Sequence, residues 1–236
     1  MLKVFLEDLG KKDYKETWKY QRVLFEKIAH FKFLKKISNF NRKVPSNYLL
    51  FVEHPNSYTL GVGGDVQHFL LSEEDLKRFG ACFYKIDRGG DITYHGEGQL
   101  VVYPILDMEY FITDIHQYLR MLEEVTIRVL SCYGLKGERS SGETGVWIDV
   151  GTSKVRKICA LGIRMSRWVS MHGFAINVNT NLKYFKYIIP CGIRNKSVTS
   201  LARELHKKIP MKDLKEKVKK SFENVFDVVI SKRSLL

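Results

Sequence analysis

The 236-residue sequence has little proline and no long apolar run, and each scarcity excludes a class of protein. There are five prolines and no segment of low complexity, so the sequence does not predict a disordered chain. No apolar run reaches the roughly 18 residues that a membrane-spanning helix needs. Glu7 and Asp8 stand close to the N-terminus, and no basic region precedes an apolar run, so we expect no secretory signal.

Cysteine is also scarce, and its spacing excludes two kinds of site. Cys82, Cys132, Cys159 and Cys191 form no C-x-x-C pair, so neither a zinc ribbon nor a thioredoxin-type motif is predicted, and we expect no metal site. We expect a cytoplasmic protein with reduced thiols. The glycine-rich stretch RGGDITYHGEGQLVVYP (88–104) lacks both G-x-G-x-x-G and a following G-K-[ST], which argues against a dinucleotide site and a phosphate loop.

Acidic residues are outnumbered, and the net charge is +13. Residues 31–45 contain five basic residues and no acid, and residues 202–236 contain ten basic residues against five acids. Such a surface attracts acidic partners such as nucleic acid, anionic lipid or an acidic protein. The sequence has no aromatic RNA-binding motif and no basic recognition helix, so a solvated basic surface explains the charge equally well.

Hydrophobic residues make up 44% of the chain, enough for the core of one large domain, which we expect to span residues 1–236. Helical spacing of apolar residues and capping signals predict helices at 13–30, 72–80, 113–134, 197–206 and 211–226, so the segment 197–230 is expected to be helical. Alternating or β-branched runs predict strands at 46–61, 81–88, 99–107, 144–150, 157–165 and 168–178. Helices and strands intermix without βαβ regularity, which indicates an α+β fold of mixed β-sheets flanked by helices.

Three stretches contain residues suited to chemistry. In the first, residues 88–104, glycines allow close approach of the backbone to a ligand, although a tight hairpin would use them equally well. In the second, KICALGIRMSRWVSMHGFAINV (157–178), Lys157 opens an apolar strand and His172 precedes a glycine. A lysine there is usually a surface residue, but burial beside a thiol would let it exchange protons.

The third stretch, YIIPCGI, holds Cys191 between a proline and a glycine, so its thiol is expected in a turn. A nucleophilic cysteine needs a nearby base or cation to form its thiolate. Lys157, His95 and His172 are the candidates, and spacing in the sequence does not choose among them. Cys82, Cys132 and Cys159 lie in apolar patterns and are expected to be packed and inert.

Four motifs in a fixed order resemble the lipoyl(octanoyl) transferase, or lipoate-protein ligase B, family. These are RGGDITYHGEGQLVVYP, RKICALGIR, MHGFAINV and PCG, and with EHPNSYTLG ahead of them the resemblance runs from Glu53 to Gly192. It implies a catalytic domain like that of the biotin and lipoate protein ligases. It also implies transfer of an octanoyl group from octanoyl-acyl carrier protein to a lysine of a lipoyl domain through a thioester on the enzyme.

The resemblance also implies roles for individual residues. Cys191 would be the nucleophile, and Lys157 would lower its pKa and shuttle protons. His54, Tyr103 and His172 match motif positions that we expect near the pocket. The residues expected to bind the substrate are Arg88, Gly89, Gly90, Asp91, Ile92, Thr93, Tyr94, His95, Ala160, Leu161, Gly162, Gly173, Phe174 and Ala175.

The sequence departs from the family at two positions. Glu97 stands where the family usually has proline, and we expect it to loosen the turn and add a charge near the mouth of the site. Cys159 stands where alanine is commoner. Because alternate residues of a strand share a face, Cys159 is expected on the same side as Lys157, although we interpret it as packing.

The expected partners are octanoyl-acyl carrier protein and lipoyl domains of 2-oxoacid dehydrogenases or the glycine cleavage H protein. No cofactor is needed, because the acyl group arrives on the phosphopantetheine of the carrier protein. We expect a monomer that binds neither nucleic acid nor membrane. Three alternatives stay open: an ATP-dependent lipoate ligase, a basic nucleic-acid-binding module, and a scaffold that keeps the fold without the activity.

Overall fold

A computed structural model describes residues 1–37, 46–189 and 197–232, and most of its strands belong to one mixed sheet. Among these residues the sheet has eight strands, in the order β10-β8-β9-β6-β2-β1-β11, with β7 paired to β8. Its strands are β1 (Leu2–Lys11), β2 (Asn47–Glu53), β6 (Gln99–Ile105), β7 (Val146–Ile148), β8 (Arg156–Ser166), β9 (Val169–Asn177), β10 (Ser197–Val198) and β11 (Val228–Lys232).

The centre of this sheet is buried on both faces. Almost every residue of β2, β6 and β9 is buried. β6 and β9 are antiparallel, and so are β8 and β9, where Ala160 pairs with Ala175 and Gly162 with Gly173. The family motifs on β8 and β9 are therefore direct neighbours across the sheet.

A second sheet lies beside the first and carries part of the glycine-rich stretch. It consists of three strands in the order β4-β3-β5. Aromatic side chains fill its own small core, among them Tyr58 and Tyr94. Its strands are β3 (Ser57–Leu60), β4 (Cys82–Lys85) and β5 (Ile92–His95).

Five helices of the described chain flank the sheets. The helices are α1 (Tyr14–Ile37), α2 (Glu73–Arg78), α3 (Ile115–Ser131), α4 (Leu201–Leu205) and α5 (Met211–Phe226). α3 and α5 cover one face of the large sheet with an apolar core, and α1 covers the other face through Leu24, Phe25 and Ile28. No helix in the described part of the chain is long and apolar enough to cross a membrane.

The structure confirms the predicted class and the position of each predicted helix. The start of α3 and both ends of α5 lie close to the predicted limits, because Asp114 caps the N-terminus of α3 and the apolar stripes of both helices are buried. The sequence did not predict β1, β5, β10 or β11, and β11 corrects the expectation that residues 197–230 are simply helical. The single domain at 1–236 stays a prediction.

Candidate active site

A cavity of about 640 Å³ lies where the glycine-rich stretch crosses β8 and β9. Strand residues form its floor, and the first turn of α3 contributes Ile115 and Leu119 to its wall. Most of the lining is apolar, with a few polar groups among it, as is usual for a site that binds a small molecule or an acyl chain. The polar side chains that line it include Arg88, Asp91, Thr93, His95, Gln99, Tyr103, Glu143, Lys157, His172 and Asn177.

Lys157 reaches this cavity because β8 contains a β-bulge. Val146 pairs with Cys159 and Trp147 with Lys157, so β8 carries one extra residue, Ile158, between these two pairs. The bulge breaks the alternation of side chains along the strand. Lys157 consequently lines the cavity, with its Nζ 4.4 Å from the centre of the Trp147 ring.

Cys159 lies on the opposite side of the sheet from the cavity, contrary to the expectation that it shares a face with Lys157. It is fully buried in the core beneath α3, where the Thr126 hydroxyl donates to its Sγ at 3.5 Å. Burial raises the pKa of the Cys159 thiol to about 12. A thiol that is neutral and enclosed by apolar side chains is not a nucleophile, so the interpretation of Cys159 as packing agrees with the structure. The same expectation is wrong for Cys82 and Cys132, which are exposed.

Arg88 ties the glycine-rich stretch to the small sheet. Its guanidinium donates to the carbonyl and the hydroxyl of Thr59, at 2.7 and 3.0 Å, and to the carbonyl of Gly89 at 3.0 Å. The amide of Gly89 in turn donates to Ile163 on β8 at 2.8 Å. Arg88 therefore shapes the cavity wall through these hydrogen bonds.

Asp91 connects the same stretch to the chain that precedes Pro190. His68 Nδ1 lies 2.6 Å from the Asp91 carboxylate, and the backbone carbonyl of His68 accepts the amide of Ile189 at 2.9 Å. His68 thus links the glycine-rich stretch, through its ring, to the segment that ends at Ile189, through its backbone. The sequence offered no signal for His68, because nothing local distinguishes it from a surface histidine.

The turn at Gly96–Gln99 is closed despite Glu97. The amide of Gln99 donates to the carbonyl of Gly96 at 3.1 Å, and Gly98 has a φ of +77°. This is a type II turn, in which a residue at the position of Gly98 must have positive φ. Because the turn is closed by this hydrogen bond, the expected loosening is absent. The added charge is present at the surface, where Glu97 pairs with Lys11 at 3.0 Å.

His95 heads a chain of buried hydrogen bonds beneath the cavity. Its Nδ1 donates to Gln99 Oε1 at 2.8 Å, and Gln99 Nε2 donates to Asn177 Oδ1 at 3.0 Å. Asn177 then donates to the carbonyl of Thr199 at 3.0 Å, and Thr199 donates its amide to the carbonyl of Lys157 at 2.9 Å. Burial lowers the pKa of His95 to about 3, so this histidine is neutral.

His54 supports the cavity from behind without lining it. Its Nδ1 donates to the carbonyl of Lys12 at 2.7 Å, which leaves Nε2 to accept the hydroxyl of Tyr103 at 2.8 Å. Burial lowers the pKa of His54 to about 4 and raises that of Tyr103 well above its usual value. Tyr103 is therefore a neutral hydroxyl held by His54.

His172 lines the cavity close to Tyr103, and the Nε2 atom of its ring is hydrogen-bonded to Asp87. Nε2 of His172 lies 3.0 Å from Asp87, and Nδ1 has no hydrogen-bond partner among the described residues. Burial lowers the pKa of His172, although the hydrogen bond to Asp87 opposes this shift. His172 is thus neutral, with the proton on Nε2.

The expected substrate-binding residues line this cavity with one exception. Tyr94 does not line the cavity, because its ring packs in the core of the small sheet, where it stacks on Tyr184. Cys191 and Gly192 lie outside the described residues. The cavity is also lined by Trp147, Ile115, Leu119 and Asn177, which nothing in the sequence distinguishes from ordinary packing residues.

No group of three or more metal-ligating side chains occurs among residues 1–37, 46–189 and 197–232.

Sequence comparison places the chain among known enzymes. The sequence model of the lipoyl protein ligase A/B catalytic domain matches residues 13–223. The octanoyltransferase of Christiangramia forsetii is 58% identical over 225 residues, which cover 94% of this chain and 95% of the relative. That of Flavobacterium johnsoniae is 56% identical over 229 residues, covering 97% of this chain and 98% of the relative.

Solved structures share the fold at low sequence identity. A bi-partite lipoate protein ligase from Thermoplasma acidophilum has a TM-score of 0.73 at 17% identity, covering 100% of this chain and 88% of that one. The biotin protein ligase of Aquifex aeolicus has a TM-score of 0.53 at 15% identity, covering 94% and 70%. These likenesses confirm the predicted ligase-type fold, and the identities above show that the chain belongs to the octanoyltransferase family, within the lipoyl protein ligases A and B.

Proposed function

We propose that this octanoyltransferase works through an acyl-enzyme on Cys191, with Lys157 as its proton acceptor and donor. The donor is octanoyl-acyl carrier protein, and the acceptor is a lysine of a lipoyl domain of a 2-oxoacid dehydrogenase or of the glycine cleavage H protein. A thiol nucleophile suits a thioester donor, since the bond formed has nearly the same energy as the bond broken, and no ATP is required. Neither a metal nor a bound cofactor takes part.

In the first half-reaction, Lys157 Nζ takes the thiol proton of Cys191, and the thiolate attacks the octanoyl carbonyl. The carbon–sulfur bond to phosphopantetheine breaks, and Lys157 returns the proton to the departing thiol. In the second half-reaction, the acceptor lysine amine attacks the carbonyl of the acyl-enzyme, and Lys157 takes a proton from that amine. The amide forms as the carbon–sulfur bond to Cys191 breaks, and Lys157 returns the proton to the Cys191 thiolate. Backbone amides at Cys191 and Gly192 would stabilise the oxyanion in both steps.

The observation that carries this proposal is the position of Lys157 in the wall of an otherwise largely apolar cavity. A side chain that can switch between amine and ammonium at that place suits a proton carrier beside an acyl thioester. Ala160 and Ala175 pair across β8 and β9 on the floor and leave room for the acyl chain. Burial of the chain contributes about 0.8 kcal/mol for each methylene.

The net charge of +13 suits an acidic carrier protein as donor. Association should therefore weaken as salt is raised, because exposed charges separated by more than about 8–10 Å are screened at physiological ionic strength. The same salt dependence with nucleic acid, and no acyl adduct, would instead support the nucleic-acid-binding alternative.

Intact-mass analysis after mixing with octanoyl-acyl carrier protein, without ATP, tests the mechanism. We expect one octanoyl adduct that maps to Cys191 and is absent from Cys191→Ser. Cys159→Ala is the matched control, because it removes the thiol on β8 and should keep the adduct. An adduct on Cys159, transfer that persists without Cys191, or an absolute need for ATP would each overturn the mechanism.

Lys157→Ala tests the role of the lysine. Acylation should slow strongly at neutral pH and much less at alkaline pH, where the thiol ionises without help. An equal loss at every pH would mean that the substitution damages the structure and that Lys157 does not handle the proton.

A further inference from the structure

The side chain of Lys157 lies in a slot whose walls come from β7 and the residue before it. Trp147 pairs with Lys157 in the antiparallel register, and its indole is 3% exposed. Nζ of Lys157 lies 4.4 Å from the ring centroid, within the distance at which the electron-rich face of an indole attracts a cation. Tryptophan provides the strongest such face among the aromatic residues.

The bare backbone of Gly145 forms a second wall of the slot. A Cβ there would lie 3.2 Å from Cε and 3.4 Å from Cδ of Lys157, and 2.8 Å from the carbonyl oxygen of Cys159. Gly145 has a φ of +134°, which other residues rarely adopt. Its amide donates to the buried carboxylate of Glu123 at 3.0 Å, so the glycine is fixed in place from α3.

We propose that Trp147 is a positioning residue that holds Lys157 and stabilises its charged form. This inference rests on the proposed function, in which Lys157 gains a proton when Cys191 loses one. The transfer breaks the sulfur–hydrogen bond and forms a nitrogen–hydrogen bond, so a thiolate and an ammonium replace two neutral groups. The indole face attracts only the ammonium, and it therefore favours the products of this step over the reactants.

Substitution of Trp147 separates the effect of the ring from that of its volume. Trp147→Phe keeps a flat aromatic face, and Trp147→Leu keeps apolar packing without one. Trp168→Leu is the matched control, since Trp168 is a half-buried indole that packs against the core and does not line the cavity. Each variant would first be compared with the wild type in urea unfolding, to confirm that it folds.

The first readout is the single-turnover rate of acylation by octanoyl-acyl carrier protein. A cation–π contact of the usual strength predicts a rate about two- to thirtyfold lower in Trp147→Leu and a smaller loss in Trp147→Phe. Trp168→Leu should acylate at the wild-type rate. Equal losses in Trp147→Phe and Trp147→Leu would mean that only volume matters, and would overturn the proposal.

The second readout is carbamoylation of Lys157 by cyanate as a function of pH, followed by peptide mass mapping. Cyanate reacts with the neutral amine, so the midpoint of the pH dependence reports the charge of Lys157, whatever the accessibility of the residue. In Trp147→Leu the midpoint should move to lower pH by about 0.4 to 1.5 units. An unchanged midpoint would overturn the proposal.

The two readouts also separate this inference from the proposed function. If Lys157→Ala acylates normally, the proposed function fails, whether or not the midpoint moves. If Lys157→Ala is inactive and the midpoint stays in place, the function stands and the role of Trp147 fails. If Trp147→Leu does not fold, Trp147→Phe carries the test, with a smaller shift in the same direction.

Discussion

His172 and Asp87 form a hydrogen-bonded pair, 3.0 Å from Nε2 to carboxylate oxygen, at the edge of the cavity. Asp87 also accepts from the Trp18 indole at 3.0 Å and from Arg22 at 3.2 Å, and it forms an ion pair with Arg164. Burial opposes its ionisation, but the hydrogen bond with His172 and the nearby arginines outweigh burial and hold its pKa well below its usual range. One carboxylate thus joins α1, β8 and β9 behind the candidate site.

Loss of this carboxylate should destabilise the fold. Asp87→Asn keeps the shape but removes the charge that the two arginines and His172 face, and we expect the free energy of unfolding to fall by about 1.5–3 kcal/mol. Urea unfolding at pH 7.5 measures it. Glu97→Gln is the control, because the exposed Lys11–Glu97 pair should contribute only about 0–1 kcal/mol. Equal effects of the two substitutions would contradict this account of Asp87.

The buried histidines should make stability fall in mild acid. His54 and His95 have folded-state pKa values of about 4 and 3, whereas an unfolded histidine titrates near 6.5. Below about pH 6.5 the unfolded chain therefore binds more protons than the folded chain. Stability that is present above that pH is lost as the pH falls, by about 2 kcal/mol for each of these two residues at pH 5.

Urea unfolding at pH 7.5 and pH 5 tests this pH dependence. His54→Gln should reduce the difference in unfolding free energy between the two pH values by about 2 kcal/mol. His116→Gln, at an exposed position, is the control for replacing a histidine by glutamine. A His54→Gln variant with the wild-type pH dependence would mean that His54 is not neutral in the folded protein.

A larger side chain on the floor of the cavity should reduce its volume and so shorten the acyl chain that the enzyme accepts. Ala175 is 5% exposed and pairs with Ala160, so Ala175→Leu should fill space that we assign to the octanoyl chain. Losing the burial of two methylenes predicts a rate with octanoyl-acyl carrier protein at least about tenfold lower. Hexanoyl-acyl carrier protein serves as the internal control, and its rate should fall less than the rate with the octanoyl donor. Equal losses of rate with both donors would mean that the acyl chain does not occupy this floor.

Restoring the proline that the family usually carries should stabilise the turn at Gly96–Gln99. Position 97 is the second residue of a type II turn, where proline is favoured. Glu97→Pro should raise the free energy of unfolding by about 0.4–1 kcal/mol, because proline restricts the unfolded chain. Any stabilisation by the exposed ion pair with Lys11 is lost and is subtracted from this gain. The urea midpoint measures this change.

Gly98→Ala is the opposite test of the same turn. Gly98 has positive φ, and a Cβ there would lie 2.7 Å from the backbone of Asn179. The substitution should therefore lower the urea midpoint. If Glu97→Pro destabilised and Gly98→Ala did not, the assignment of the turn type would be wrong.

Much of the site was predictable, because its chemistry is local. Glycines, a lysine on an apolar strand and four motifs in order indicated both the family and most of the lining of the cavity. Lys157 is the instructive case: its residue type was informative, but its orientation depends on the bulge at Ile158, which only the pairing of β7 with β8 reveals. Tyr94 was misplaced for a related reason, since its direction depends on the register of β5 against β3.

Local sequence patterns were enough to predict the helices with clear periodicity and caps, the α+β class and the set of residues able to do the chemistry. Those features depend on neighbours within a few positions along the chain. Three relationships become visible only in the folded chain: Trp147 faces Lys157, Cys159 is turned into the core, and Asp87 meets His172 across 85 positions. These relationships arise where distant strands and helices pack together, and no local pattern of residues encodes such a contact.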